Sequence, residues 1–141
     1  MTNLKPVFNF LLLATFVVFF ASGCKEDIAP SEELNNRLAG DWQVESYIIN
    51  GEDLMRSEFI SFEMEFNKEG AETGETEWIA VDIDGEAFQE EFDYLIKNDG
   101  QEIEFNSDGD EIELDIEING DELEIDGFVD GDRIIIEAER D

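Results

Sequence analysis

From residue 40 onward, apolar and polar residues take turns along the chain with a period of two. The cleanest stretch is DEIELDIEINGDELEID at 110–126. There Ile112, Leu114, Ile116 and Ile118 alternate with Glu111, Glu113, Asp115 and Glu117, and after Asn119-Gly120 the alternation resumes as Leu123 and Ile125 between Glu122, Glu124 and Asp126. Such alternation puts one residue set on each face of a β-strand, one dry and one wet. Asn-Gly between two such runs predicts a hairpin. A two-residue turn at Asn119-Gly120 sets Glu117 opposite Glu122, Asp115 opposite Glu124 and Glu113 opposite Asp126.

The same unit recurs along the chain. A short helix over 31–38, with Ser31 as N-cap and Gly40 as its stop, brings Leu34 and Leu38 under one end of the fold. Strand one starts at Gly40-Asp41-Trp42 with Trp42, Val44, Ser46 and Ile48 on one face, and Asn50-Gly51 turns the chain. Residues 52–58 form a loop or a single helical turn. Strand two (59–67) alternates Ile60, Phe62, Met64 and Phe66 with Ser61, Glu63 and Glu65. Strand three (75–83) has Ile79, Val81 and Ile83 on one face and Trp78 on the other. Strand four (87–97) aligns Phe88, Phe92, Tyr94 and Ile96 inward, with Glu90 intruding. A short fifth strand carries Ile103 and Phe105, and strands six and seven are the hairpin above. Gly127 falls where Phe128 and Val129 break the alternation, which predicts a β-bulge. Strand eight (133–139) turns Ile134, Ile136 and Ala138 inward.

Eight consecutive strands joined by short loops pair as an antiparallel meander. One apolar face on such a meander predicts an all-β, eight-stranded up-and-down barrel, since closure removes the unpaired edges. The alternative is an open sheet folded into a sandwich, which leaves strands one and eight unpaired.

Residues 1–23 read differently. Lys5, an apolar run from Val7 to Phe20 and small residues Ala21-Ser22-Gly23 make a signal peptide, shorter than the roughly 20 apolar residues of a membrane span. Ala21-Ser22-Gly23-Cys24 resembles the lipobox of bacterial lipoproteins, with Ala21 where leucine is preferred. The resemblance implies that Cys24, the only cysteine, is lipidated and becomes the N-terminus. Lys25-Glu26-Asp27 resembles the signal that sends some lipoproteins of Gram-negative bacteria to the outer leaflet of the outer membrane. The expected organisation is a signal peptide at 1–23, a lipidated tether at 24–33 and a barrel domain at 34–141. The expected location is the outer membrane, surface-exposed or on its periplasmic face.

Charge narrows the chemistry. The chain holds 39 acidic and 8 basic residues; without Lys5 the mature part carries 7 − 39 = −32. Such a field repels nucleic acid and anionic membranes, and leaves basic or cationic partners. With no histidine, Ser-His-Asp and Cys-His chemistry are excluded. No carboxylate pair stands out for glycoside hydrolysis, so the expectation is a non-enzyme without cofactors. Divalent cations are one alternative partner. With Gly120 as position six of a calcium loop, Asp115, Glu117, Asn119 and Asp126 put oxygens at the required places, and Gly109 does the same with Glu104, Asn106, Asp108 and Asp115. Hairpin turn chemistry explains the same residues, so no metal site is expected. Asp115, Asn119 and Asp126 are the candidates if one exists.

Leu38-Ala39-Gly40-Asp41-Trp42 and the train of hairpins over 34–139 resemble the lipocalin-like domains of bacterial lipoproteins, whose mark is Gly-x-Trp at the first strand behind a short helix. The resemblance implies a structural Trp42 packed across the closed end, and a barrel that binds a small hydrophobic ligand. The chain is shorter than a typical lipocalin and shows no helix after its last strand. Phe62, Phe66, Phe88, Glu90, Phe92, Tyr94 and Phe105 are the candidate ligand residues, with Ser46 as a further polar group. The competing expectation is a barrel filled by these aromatics, acting through its acidic outside.

Overall fold

Every alternating run is a strand in the computed structural model, which describes residues 27–141. The signal peptide, Cys24 and the Lys25-Glu26 end of the tether lie outside those residues. The described chain runs α1 (Pro30–Leu38), β1 (Gly40–Ile49), β2 (Glu52–Asp53), β3 (Phe59–Lys68), β4 (Thr73–Asp82), β5 (Ala87–Lys97), β6 (Glu102–Ser107), β7 (Asp110–Asn119), β8 (Glu122–Val129) and β9 (Asp132–Arg140). Neighbours pair antiparallel, β2 is a two-residue hook on β1, and β1 pairs with β9 from Trp42↔Arg140 to Ile49↔Ile134. That last ladder closes an eight-stranded up-and-down barrel and removes the sandwich alternative. Asn50-Gly51, Asp108-Gly109 and Asp130-Gly131 each have positive φ at both central residues, the type I′ geometry that matches strand twist.

Four local expectations change. The 114–126 hairpin turns on Gly120-Asp121, with Gly120 at φ 64, so the facing pairs are Asn119↔Glu122, Glu117↔Glu124 and Asp115↔Asp126. Glycine at the first central position is the type II′ solution, whose flanking residues differ from those of an Asn-Gly turn. In β1 a bulge between Val44 and Ser46 reverses the alternation. Ser46 and Ile48 therefore face outward, and Tyr47 takes the inward place opposite Ile136. A second bulge between Phe59 and Ser61 turns Ile60 out, where it is 65% exposed. No bulge occurs at Gly127: the β8–β9 register runs unbroken through it, and Phe128 faces solvent at 69% exposure. Gly127 faces inward because Leu114 fills its space; a Cβ there would lie 2.6 Å from Leu114 Cδ2.

One end of the barrel is plugged by α1. Its N-cap is Ala29, not Ser31, and Pro30 occupies the first turn, where a missing N–H costs nothing. Leu34 and Leu38 are buried beneath it. Asn35 donates to the carbonyls of Gly70, Ala71 and Thr73 in and beside the β3–β4 loop, and accepts from the Tyr94 hydroxyl at 2.7 Å. Trp42 lies across the same end. Its indole N–H donates to the Leu38 carbonyl at 2.7 Å, and the Arg140 guanidinium sits 4.3 Å over its ring. Phe66, Ile96, Ile103, Ile118 and Leu123 complete a dry lower core. Among the described residues no helix is long and apolar enough to cross a membrane.

Candidate functional site

The other end of the barrel is not plugged. Around it lie the β1–β2, β4–β5, β6–β7 and β8–β9 turns and the single helical turn Leu54–Arg56. Inward-facing residues here stay half-exposed: Tyr47, Trp78, Ala80, Phe92, Ile112, Val129 and Ile134 pack on the core without being sealed by it. Two further features keep the mouth open. The β7–β8 ladder stops at Asp115↔Asp126, and β6 reaches only as far as Asp93↔Asn106 beside β5. The first half of β5 therefore pairs only with β4 among the described strands.

One wall of the mouth is a continuous arc of rings. Tyr47 stands 6.2 Å from Phe59 and 5.7 Å from Phe62; Phe62 stands 5.8 Å from Trp78, and Trp78 stands 5.0 Å from Phe92 and 5.3 Å from Phe105. These centroid separations and tilted geometries are those that ring quadrupoles favour. Phe62 and Phe105 are buried and form the floor. Phe88 is half-exposed at the rim, opposite Ala80, and Glu90 stands opposite Trp78 on the same inward face. Burial pushes the Tyr47 hydroxyl pKa up, and the Glu90 carboxylate across the mouth pushes it further. The opposite wall, from Ile112, Val129 and Ile134, is aliphatic.

The structure divides the sequence candidates. Phe62, Phe88, Glu90, Phe92 and Phe105 come together at the mouth. Phe66 and Tyr94 do not: they lie at the plugged end, 5.5 Å apart edge to face, with the Tyr94 hydroxyl held by Asn35. Burial, then the charge of Glu69, raises the Tyr94 pKa to about 12. Ser46 faces out of the barrel because of the β1 bulge. Tyr47, Phe59 and Trp78 were not among the candidates. Bulges hide the first two from a period-two reading; Trp78 competes with an equally apolar face of Ile79, Val81 and Ile83. The pairing Met64↔Trp78 decides which face is inside.

The calcium windows become strands. Asp115 pairs across to Asp126 in mid-hairpin, while Asn119 lies four residues further along β7, about 13 Å away at strand rise. The Asp126 carboxylate is held by Arg133 at 2.8 Å, and the Asn119 side-chain amide donates to Glu117. Among the described residues no three acidic groups converge as metal ligands. The outer wall instead carries open acidic depressions. One of about 290 Å³ is lined by Glu45, Glu117, Glu122, Glu124, Glu137 and Glu139, and one of similar volume by Glu75, Glu77, Glu91, Asp93 and Asp108 among others.

No protein-family model matches the chain, and no curated protein matches it in sequence. Its fold is similar to those of solved β-barrels. A redesigned β barrel matches 81% of this chain and 97% of its own at TM-score 0.57 and 17% identity. A de novo designed fluorescence-activating β barrel matches 76% of this chain and 96% of its own at TM-score 0.56 and 16% identity. A further redesigned β barrel, bound to DFHBI, covers 79% of this chain and all of its own at TM-score 0.54 and 16% identity. At these identities the likeness is one of fold.

Proposed function

We propose that the protein is a non-enzymatic binding module that takes a small, flat, apolar molecule into the aromatic mouth of its barrel. The observation that carries this reading is the contrast between the two ends. Inward side chains at the plugged end are dry, while Tyr47, Phe59, Trp78 and Phe92 of the arc stay partly exposed above the buried Phe62 and Phe105, a state that costs apolar hydration unless something covers them. That a similar barrel is bound to DFHBI supports the reading. The proposal includes lipidation at Cys24 and an outer-membrane location. Diacylglycerol on Cys24 in the membrane fraction, lost together with membrane association in Cys24→Ser, is the expected result.

Titration with a neutral environment-sensitive dye tests the mouth. One saturable site that quenches tryptophan emission is expected, weakened about fivefold to tenfold by Phe88→Ala, which removes a ring's worth of contact. No binding at all would leave the second reading, a filled barrel acting through its outer wall, which the carboxylate-lined depressions favour.

A further inference from the structure

The mouth is aromatic on one side and ringed by negative charge, and that combination selects among apolar ligands. Glu90 projects on the inward face between Phe88 and Phe92, opposite Trp78, and enters no ion pair among the described residues. The turns at the rim add Asp82, Asp84, Glu86, Asp108, Asp130 and Asp132. The described cations are engaged elsewhere. Arg37 and Arg140 donate at the plugged end, and Lys68 pairs with Glu32 and Lys97 with Glu104 and Glu113. Arg133, although it lies at the mouth end beside the β8–β9 turn, sits on the outer face paired with Asp126. Arg56 stands near the mouth but points to solvent and pairs with Asp53 at 3.4 Å.

We propose that the mouth recognises a flat organic cation, such as an aromatic ring system with a quaternary or protonated nitrogen, stacked on the Tyr47–Trp78–Phe92 arc with its charge beside Glu90. This deepens, and rests on, the reading of the mouth as a ligand site. Ring faces attract a cation through their quadrupole, and the attraction grows when the cation is partly desolvated. The carboxylate supplies the counter-charge that a half-buried cation needs. An anionic ligand of the same shape meets repulsion from Glu90 and from the rim. A bare divalent metal is a poor fit, because one carboxylate among rings cannot supply the six to eight oxygens that calcium takes. The raised Tyr47 pKa has two causes: burial, the larger, opposes charge of either sign, and the Glu90 carboxylate, the smaller, opposes a negative charge and favours a positive one.

The test uses a matched pair of dyes: thioflavin T, a benzothiazolium cation, and its uncharged analogue lacking the N-methyl group. Both are titrated into the protein at physiological ionic strength, read by dye fluorescence and by quenching of tryptophan. One site per chain is expected for each, with the cation on the order of tenfold tighter. Glu90→Gln should erase that preference, bringing the two affinities together; Glu137→Gln on the outer wall should leave the preference intact. Equal affinity of the two dyes would overturn the cation assignment but spare the mouth as a site. A cation preference lowered equally by both substitutions would mean adsorption on the acidic wall, and would also overturn it. Binding of neither dye would remove the site itself.

Discussion

Asn35 ties the sealed end together through its side chain. Its amide nitrogen donates to three carbonyls in and beside the β3–β4 loop and its oxygen accepts from the Tyr94 hydroxyl, all without exposure of Asn35 to water. Asn35→Ala leaves these groups buried and unpaired, so chemical denaturation should show a loss of about 2–4 kcal/mol. Gly74 is equally constrained, because a Cβ would lie 2.3 Å from the Asn67 carbonyl and 2.4 Å from the Tyr94 hydroxyl. Gly74→Ala should cost about 1–3 kcal/mol through overpacking. Tyr94 also contributes to the pH dependence of stability at the alkaline end. Its folded pKa, about 12, exceeds the unfolded value of about 10. The unfolded chain therefore gives up this proton first. The stabilisation is whole below pH 10 and fades as pH climbs toward 12. A stability-versus-pH curve should fall over that interval, and fall less in Tyr94→Phe; Tyr47, shifted in the same direction, contributes to what remains.

At the level of strands, the meander and its closure were readable from the alternation, since one apolar face on eight runs has few ways to be covered. The breaks in alternation were not. A bulge adds one residue without a composition of its own, and Glu45 and Ile60 look like ordinary members of their runs. The consequence reaches the site: plain alternation places Ser46 inward where the bulge puts Tyr47, and leaves Tyr47 and Phe59 out of the aromatic arc. Gly127 is the opposite case, because a glycine in a strand can mark close approach as well as a bulge, and here Leu114 is what approaches. Asn35 was invisible as well, as one polar residue in a short helix resembles any solvated one. Cross-strand charge is a further property of this level. On the outer face Glu117, Glu124 and Glu137 stand in one row across β7, β8 and β9. Glu124→Lys places a cation between two carboxylates, and should raise stability by about 0.5–1 kcal/mol, visible as a higher melting temperature.

For the molecule as a whole, the 38 acidic and 6 basic residues from Asp27 onward leave a formal charge of 6 − 38 = −32, most of it on the outside of a closed shell. Lys97, bridging Glu104 and Glu113, has its pKa raised by both, and Glu113 has its own lowered in return; few other acids find such a partner. Self-repulsion of this kind is relieved by counter-ions. The melting temperature should climb with sodium chloride between about 0.01 and 1 M, where the screening length falls from about 30 to 3 Å. A flat response would mean that the shell is already neutralised locally.

Closure of β1 on β9 also decides which way the molecule looks. The Asp141 amide donates to the Asp41 carbonyl, and the first residue of α1 lies over Gly100, so the chain enters and leaves at the same pole. Anchored at Cys24 as proposed, the molecule would be held by its capped base, and the ring-lined mouth would open at the opposite pole, away from the support.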